Sequence, residues 1–152
     1  MRILLATDGS AHSQAAVDEI VRRPWPPGSV VRVLSVFQPY TPPVTEFVLA
    51  GATLDNMREQ LQSGAEEIAG RAADVLRKTG LSTDTAVREG EPRSAIVDEA
   101  SEWGADLIVV GSHGLTGLAR WLLGSVAQAI VAHAPCSVEV VRQPKPIGGS
   151  PR

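Results

Sequence analysis

Short apolar runs alternate along the chain with longer stretches in which apolar positions recur every three or four residues. Ile3-Leu4-Leu5-Ala6 is apolar at consecutive positions. Val30-Val31-Arg32-Val33-Leu34-Ser35-Val36, Leu107-Ile108-Val109-Val110 and Ser137-Val138-Glu139-Val140-Val141 repeat the theme. Strands with consecutive apolar residues suit a sheet covered on both faces. Thr83 to Arg88 alternates instead and predicts a weaker strand nearer an edge. Helices fall between these runs. Ser10 to Arg23 has Ser10 as a cap and Pro24 as a stop. From Met57 to Lys78, Met57, Leu61, Ala65, Ile68, Ala69, Ala72, Val75 and Leu76 form one stripe, with Gly80 ending the helix. A third helix takes Pro92 in its first turn, carries Ile96, Val97 and Ala100, and has Gly104 past its end. The last begins near Ser125 and stops before Pro135, with Ser125 and Gln128 spaced as a capping box.

The order β-α-β-α-β-α-β-α-β predicts an α/β domain, a parallel sheet with helices on both faces. Gln38 to Asn56 interrupts it with Pro39, Pro42 and Pro43 and then Phe47-Val48-Leu49-Ala50. It predicts a long loop, on one reading a lid or contact surface and on the other a plain connector. Gln143 to Arg152 is rich in Pro and Gly and predicts a flexible tail.

With 152 residues and 43% hydrophobic positions, one domain can form a core without a disulfide or metal staple. The net charge of −3 argues against a protein built to neutralise nucleic-acid phosphates. The lone Cys136 excludes an internal disulfide and reads as a small buried hydrophobe in a reducing compartment. No apolar run approaches the roughly 18 residues of a membrane span. The opening MRILLATDGS lacks a signal-peptide pattern, so the expectation is a soluble cytoplasmic protein.

Ligands of open parallel sheets bind beyond the carboxyl ends of the strands, which directs the search for chemistry to two segments. The first is Ala6-Thr7-Asp8-Gly9-Ser10; the second runs from Gly111 to Ser125. Gly111 and Gly114 let the backbone turn and approach a ligand, and Gly124-Ser125 delivers a helix N-terminus suited to phosphate. The Ser125 hydroxyl cannot both cap that helix and bind phosphate with full strength. Arg120 is the cation within the segment. The same residues can instead do no more than make turns and cap a helix. Asp8 can meet a ligand or merely form a turn before Gly9, and His113 can touch phosphate or face solvent. Arg93 can face the phosphates or lie solvated. His12 and His133 read as surface or helix-end residues; with His113 and Cys136 they show no metal-ligand spacing. A P-loop is absent, since the lysines are Lys78 and Lys145, and so is the G-x-G-x-x-G fingerprint.

Gly111-x2-Gly114-x9-Gly124-Ser125 resembles the glycine signature of the universal stress protein family in its ATP-binding branch. The opening ILLATDGS, the Gly90-Glu91-Pro92 helix start with Ile96, and the block from Gly111 to Arg142 are similar to that family too, so the resemblance covers residues 1–142. Thr7 stands where the family often has Val, and Ser137 where it often has Pro. The resemblance implies an open five-stranded sheet ordered 3-2-1-4-5, Rossmann-like and of the adenine nucleotide alpha hydrolase type. It implies ATP, with Mg²⁺, as ligand. Thr7 and Asp8 would meet the adenine or ribose, and Val36 would pack near the adenine. Gly111, His113 and Gly114 would line the ribose and phosphates, and Gly124, Ser125 and Val126 would hold the terminal phosphates. A homodimer through the last strand, Ser137 to Val141, is also implied, with residues 143–152 as a tail outside the domain. Asp8, His113 and Arg120 alone make a poor catalytic set for phosphoryl transfer. The expectation is therefore a nucleotide-binding stress or regulatory protein. A slow ATPase or nucleotidyl-transfer enzyme, and a dimeric scaffold without ligand, are the alternatives.

Overall fold

The computed structural model describes residues 1–39, 51–115 and 122–143. The chain order is β1 (Arg2–Ala6), α1 (Ala11–Arg22), β2 (Val30–Phe37), α2 (Gly51–Arg77), β3 (Ser82–Glu89), α3 (Pro92–Trp103), β4 (Leu107–Gly111), α4 (Ser125–His133) and β5 (Ser137–Val141). All strand pairs are parallel and the sheet order is β3-β2-β1-β4-β5. Winding outward from β1 in both directions opens a crevice where β1 and β4 part company at their carboxyl ends.

The consecutive apolar positions have the reason expected of them. Ile3, Leu5, Val31, Val33 and Val109 bury one face against α1 and α2. Leu4, Ala6, Leu34, Ile108 and Val110 bury the other against α3 and α4. Successive strand residues point to opposite faces, so a doubly covered strand needs apolar residues at every position. The edge strand β3 has no fully buried residue. On its α3 side a charge network replaces apolar cover. Arg32 donates to Asp84 at 2.8 and 2.9 Å and to Glu99 at 3.0 Å, and Arg88 donates to Glu99 as well. The Asp84 bond, and then Glu99, outweigh desolvation and hold the Arg32 guanidinium above its ordinary pKa. At the other edge, Arg23 reaches from the end of α1 to Glu139 of β5 with two bonds of 2.7 Å. Trp25 covers the core, its indole N–H donating to the Ile20 carbonyl.

Helix ends follow the sequence signals with two corrections. Ser10 caps α1, its Oγ accepting from Ser13 N at 3.2 Å, and Gly104 closes α3 at φ +69°. The first correction is at α2, which starts at Gly51 rather than Met57. The stripe used to place its start reports tertiary contact, and the first turns make little: Met57 and Leu61 remain exposed. Intrahelical bonding carries the helix back to Gly51. The expected loop from Gln38 to Asn56 is shorter by that much; its residues 40–50 lie outside the described residues, as do Arg120 and residues 144–152 of the expected tail. The second correction is at α4, where Gly124 is the N-cap and Ser125 the first helical residue, so no capping box forms. The Gln128 amide donates instead to the Leu123 carbonyl. Among the described residues no helix is long and apolar enough to cross a membrane.

Candidate functional site

The carboxyl ends of β1 and β4, the end of β2 and the starts of α3 and α4 enclose a cleft of about 400 Å³. That is within the usual range for a small-molecule site. All nine residues singled out above line it: Thr7, Asp8, Val36, Gly111, His113, Gly114, Gly124, Ser125 and Val126. The cleft has two ends of different character. Leu34, Val36, Ile96, Val110 and Val126 make an apolar slot between the sheet and the helices on its α3 side. Asp8, His113, Gly114 and the first turn of α4 make a polar end.

The turn after β1 is tightly bonded. The Thr7 hydroxyl donates to Ser13 Oγ at 3.1 Å and accepts from Gly9 N at 3.3 Å, which orients it toward α1. Asp8 bridges the two loops: Oδ1 accepts from Ser10 N and Oδ2 from Leu115 N, both at 3.0 Å. Asp8 is thus both a turn-former and a cleft-lining residue. Its carboxylate latches the β4–α4 segment to the β1–α1 turn across 107 positions of sequence.

The three glycines of the signature have a physical reason that the sequence did not display. None of them has positive φ. Each sits where another part of the chain comes too close for a side chain. A Cβ on Gly111 would lie 2.6 Å from the His12 carbonyl carbon and oxygen and 2.9 Å from Ser13 N. On Gly114 it would lie 2.8 Å from Asp8 Oδ2, and on Gly124 2.9 Å from the Ser112 carbonyl oxygen. Gly111 lets α1 press its first turn against the end of β4. Gly124 lets the return of the segment pack on Ser112, to whose carbonyl it donates at 2.8 Å. No left-handed turn is needed at these glycines; close packing brings the loops together around the cleft, which all three line.

At the α4 N-terminus the first intrahelical bond is Gln128 N to the Gly124 carbonyl. The backbone N–H groups of Ser125, Val126 and Ala127 therefore have no acceptor within the helix. All three residues line the cleft. Released from capping, the Ser125 hydroxyl is free of the conflict anticipated for it. Together these groups are suited to an anion. The ionisable side chains lining the cleft among the described residues are those of Asp8 and His113. Arg93 lies outside it and pairs with Glu91.

Two features escaped the sequence reading. His12 is half-buried, and its ring centroid stands 5.1 Å from that of His113 at an interplanar angle of 48°. Nothing at 101 residues' separation in the chain signals that pairing. The contribution of Leu34 and Ile96 to the apolar slot was legible in principle, since Leu34 shares a strand face with Val36 and Ile96 faces the sheet from α3. Cys136 is only half-buried, packs beside the α4-side core and does not line the cleft. Its burial, with the nearby Asp106 charge, pushes the thiol up in pKa. No group of three or more His, Cys, Asp or Glu side chains gathers to hold a metal among the described residues.

Comparison with known proteins gives one consistent result. The model of the universal stress protein family matches residues 1–142. A universal stress protein of Methanocaldococcus jannaschii is 32% identical over 148 residues, covering 95% of this chain and 83% of that protein. Among solved structures, a universal stress protein from Lactobacillus plantarum superimposes with a TM-score of 0.74 at 27% identity, covering 93% of this chain and 97% of that one. A universal stress protein solved in complex with cAMP superimposes at 0.63 with 25% identity, covering 93% and 95%.

Proposed function

The chain belongs to the universal stress protein family, and from that premise we propose that its cleft binds an adenine nucleotide, ATP with Mg²⁺, as a stress or regulatory protein. One observation carries the reading: an apolar slot leads directly to the N–H groups of Ser125, Val126 and Ala127, which no carbonyl of the helix accepts. A purine fits the slot formed by Leu34, Val36, Ile96, Val110 and Val126, because an aromatic base gains by leaving water for apolar walls. Phosphate fits the other end, where the helix terminus offers donors and a positive dipole. The related protein solved with cAMP supports a ligand of this class.

Within this reading Thr7 and Asp8 border the ribose, and Gly111, His113 and Gly114 border the ribose and first phosphate. Gly124, Ser125 and Val126 take the terminal phosphates. Both Asp8 oxygens already accept backbone N–H groups, so Mg²⁺ travels with the phosphates rather than on a protein carboxylate. The same commitment leaves Asp8 poorly placed to act as a base, which favours binding over turnover. β5 is an edge strand with Val138 and Val140 packed on its α4 side, and pairing with a second copy would satisfy its open backbone groups. We read the protein as a homodimer through this strand. Nucleotide occupancy can alter the dimer or a partner surface only through different affinity for two states.

The test is calorimetric titration of nucleotide-stripped protein with Mg-ATP, accompanied by sedimentation of the free and bound forms. Saturable binding near one ATP per chain is expected, with a sedimentation mass of two chains. Absence of binding removes the nucleotide reading and returns the scaffold reading to the front.

A further inference from the structure

The two histidines of the cleft region carry a charge question. His113 lines the polar end, and its Nδ1 lies 3.1 Å from the Oγ of Ser112, a residue only 3% exposed. A hydroxyl both donates and accepts. Ser112 can donate to a neutral His113 ring or accept from a protonated one, so His113 changes charge without losing its partner. His12 differs. Its Nδ1 is buried and has no hydrogen-bond partner among the described residues. A hydrogen on that nitrogen would be a buried donor with no acceptor among the described residues. Of two rings 5.1 Å apart, His113 has a hydroxyl partner that fits either charge state, and His12 Nδ1 has no partner among the described residues. Two charged rings at that distance would also repel each other.

Among the described residues the surroundings leave His113 as the group able to answer an incoming anion. The turn before α1 contributes Asp8, whose carboxylate is anionic and bonded to backbone. The first turn of α1 contributes His12. From α2 the neighbour of that turn is Ile68, and from α3 Pro92 and Ile96 face the cleft. We propose that His113 is a proton-linked phosphate ligand, its ring taking up a proton from solvent as an anionic phosphate settles on the α4 N-terminus. Ser112 and His12 are its positioning residues. This rests on the nucleotide reading above and adds a regulation of that site: affinity strengthens as pH falls. A protein so built holds its nucleotide more tightly in an acidified cell.

The experiment is calorimetric titration with ATP, and with adenosine, at pH 8 and pH 6. It uses the wild type, His113→Asn and Ser112→Ala. ATP protonates over this range in every case, so the readout is the ratio of Kd at pH 8 to Kd at pH 6, compared between proteins. The wild-type ratio for ATP should exceed that of His113→Asn by about fivefold, as expected for partial uptake of one proton over two pH units. Ser112→Ala should lower the ratio as well, whereas a merely structural role would weaken ATP equally at both pH values. Adenosine, lacking phosphate, should give the same ratio in all three. Titrations of the wild type at pH 6.5 in two buffers of different ionisation enthalpy should show net proton uptake beyond that of His113→Asn. ATP binding with identical ratios in the wild type and His113→Asn overturns the proton linkage and leaves the nucleotide reading standing. Failure of the wild type to bind ATP at either pH overturns both.

Discussion

Gly111→Ala separates two explanations of the same glycine spacing. If Gly111 exists to let a ligand approach, alanine there costs affinity and leaves the empty protein alone. If it exists to let α1 approach β4, the empty protein itself suffers. An alanine Cβ would lie 2.6 Å from the His12 carbonyl carbon and oxygen. Ordinary contact would require them to retreat by about 0.8 Å. The obstacle is backbone, so no rotamer change relieves it. The start of α1 must move, and it is pinned by the Ser10 cap and the Thr7–Ser13 bond. Overpacking of this kind costs about 3 kcal/mol. Replacing Gly with Ala also lowers the entropy of the unfolded chain, which offsets about 0.4–1 kcal/mol. The net loss is about 2 kcal/mol, and for a chain of this size it lowers Tm by about 6 °C. The assay is thermal and urea unfolding of nucleotide-free protein. Gly28→Ala is the control, since its Cβ meets nothing within 4 Å and its cost comes only from φ at +77°. A nucleotide-free Gly111→Ala protein melting within about 1 °C of wild type would refute the packing account.

Gly114→Asp places a second carboxylate against Asp8 Oδ2, which already stands 2.8 Å from the Cβ position. It should abolish ATP binding by calorimetry while far-UV circular dichroism stays native. Glu99→Gln weakens the acceptor shared by Arg32 and Arg88. Because both guanidinium groups keep some solvent, the loss should be about 1–2 kcal/mol by urea unfolding rather than that of a fully buried pair. Cys136 favours the neutral thiol in the folded state through burial, so iodoacetamide at pH 8 should modify it more slowly than a free thiol. By the same linkage, folding loses stability as pH rises past the ionisation of the unfolded thiol, at about 8.5.

The fold was legible because its two demands leave marks at every position. Ile3 and Leu4 face different cores, and that is visible as two neighbouring apolar residues. Thr83 to Arg88 alternates because β3 is an edge whose α3 side is covered by Arg32, Arg88 and Glu99 rather than by apolar residues. The helix ends were legible where a cap is a local bond, as at Ser10, and misplaced where two local signals compete. Gly124 and Ser125 are both acceptable caps, and what chooses Gly124 is the close approach of Ser112, 12 residues away. The start of α2 was misplaced because a stripe marks contact, while Met57 and Leu61 make little of it. The His12–His113 contact was beyond reach, since it exists only after β1 and β4 have paired.

The glycine signature shows why recognising a pattern and explaining it are different achievements. Its spacing led to a segment that borders the cleft, yet each of its three glycines is crowded by another part of the same chain: His12 for Gly111, Asp8 for Gly114, Ser112 for Gly124. A relative that had lost its ligand but kept this loop packing would still need Gly111 and Gly124, whose obstacles are backbone. The glycines therefore report the architecture of the cleft and discriminate poorly between a binding protein and a scaffold. Discrimination falls to groups with no packing duty. The Ser125 hydroxyl is exposed at the first position of α4 and caps nothing, and the His113 ring borders the cleft on a partner that tolerates either charge state. Ser125→Ala should thus leave Tm within about 1 °C of wild type, as expected for an exposed substitution. The same change should weaken ATP several-fold by removing one donor to phosphate, a loss of about 1 kcal/mol. Unchanged ATP affinity in Ser125→Ala together with His113→Asn would show that the free groups of the cleft serve no phosphate, however well its glycines match.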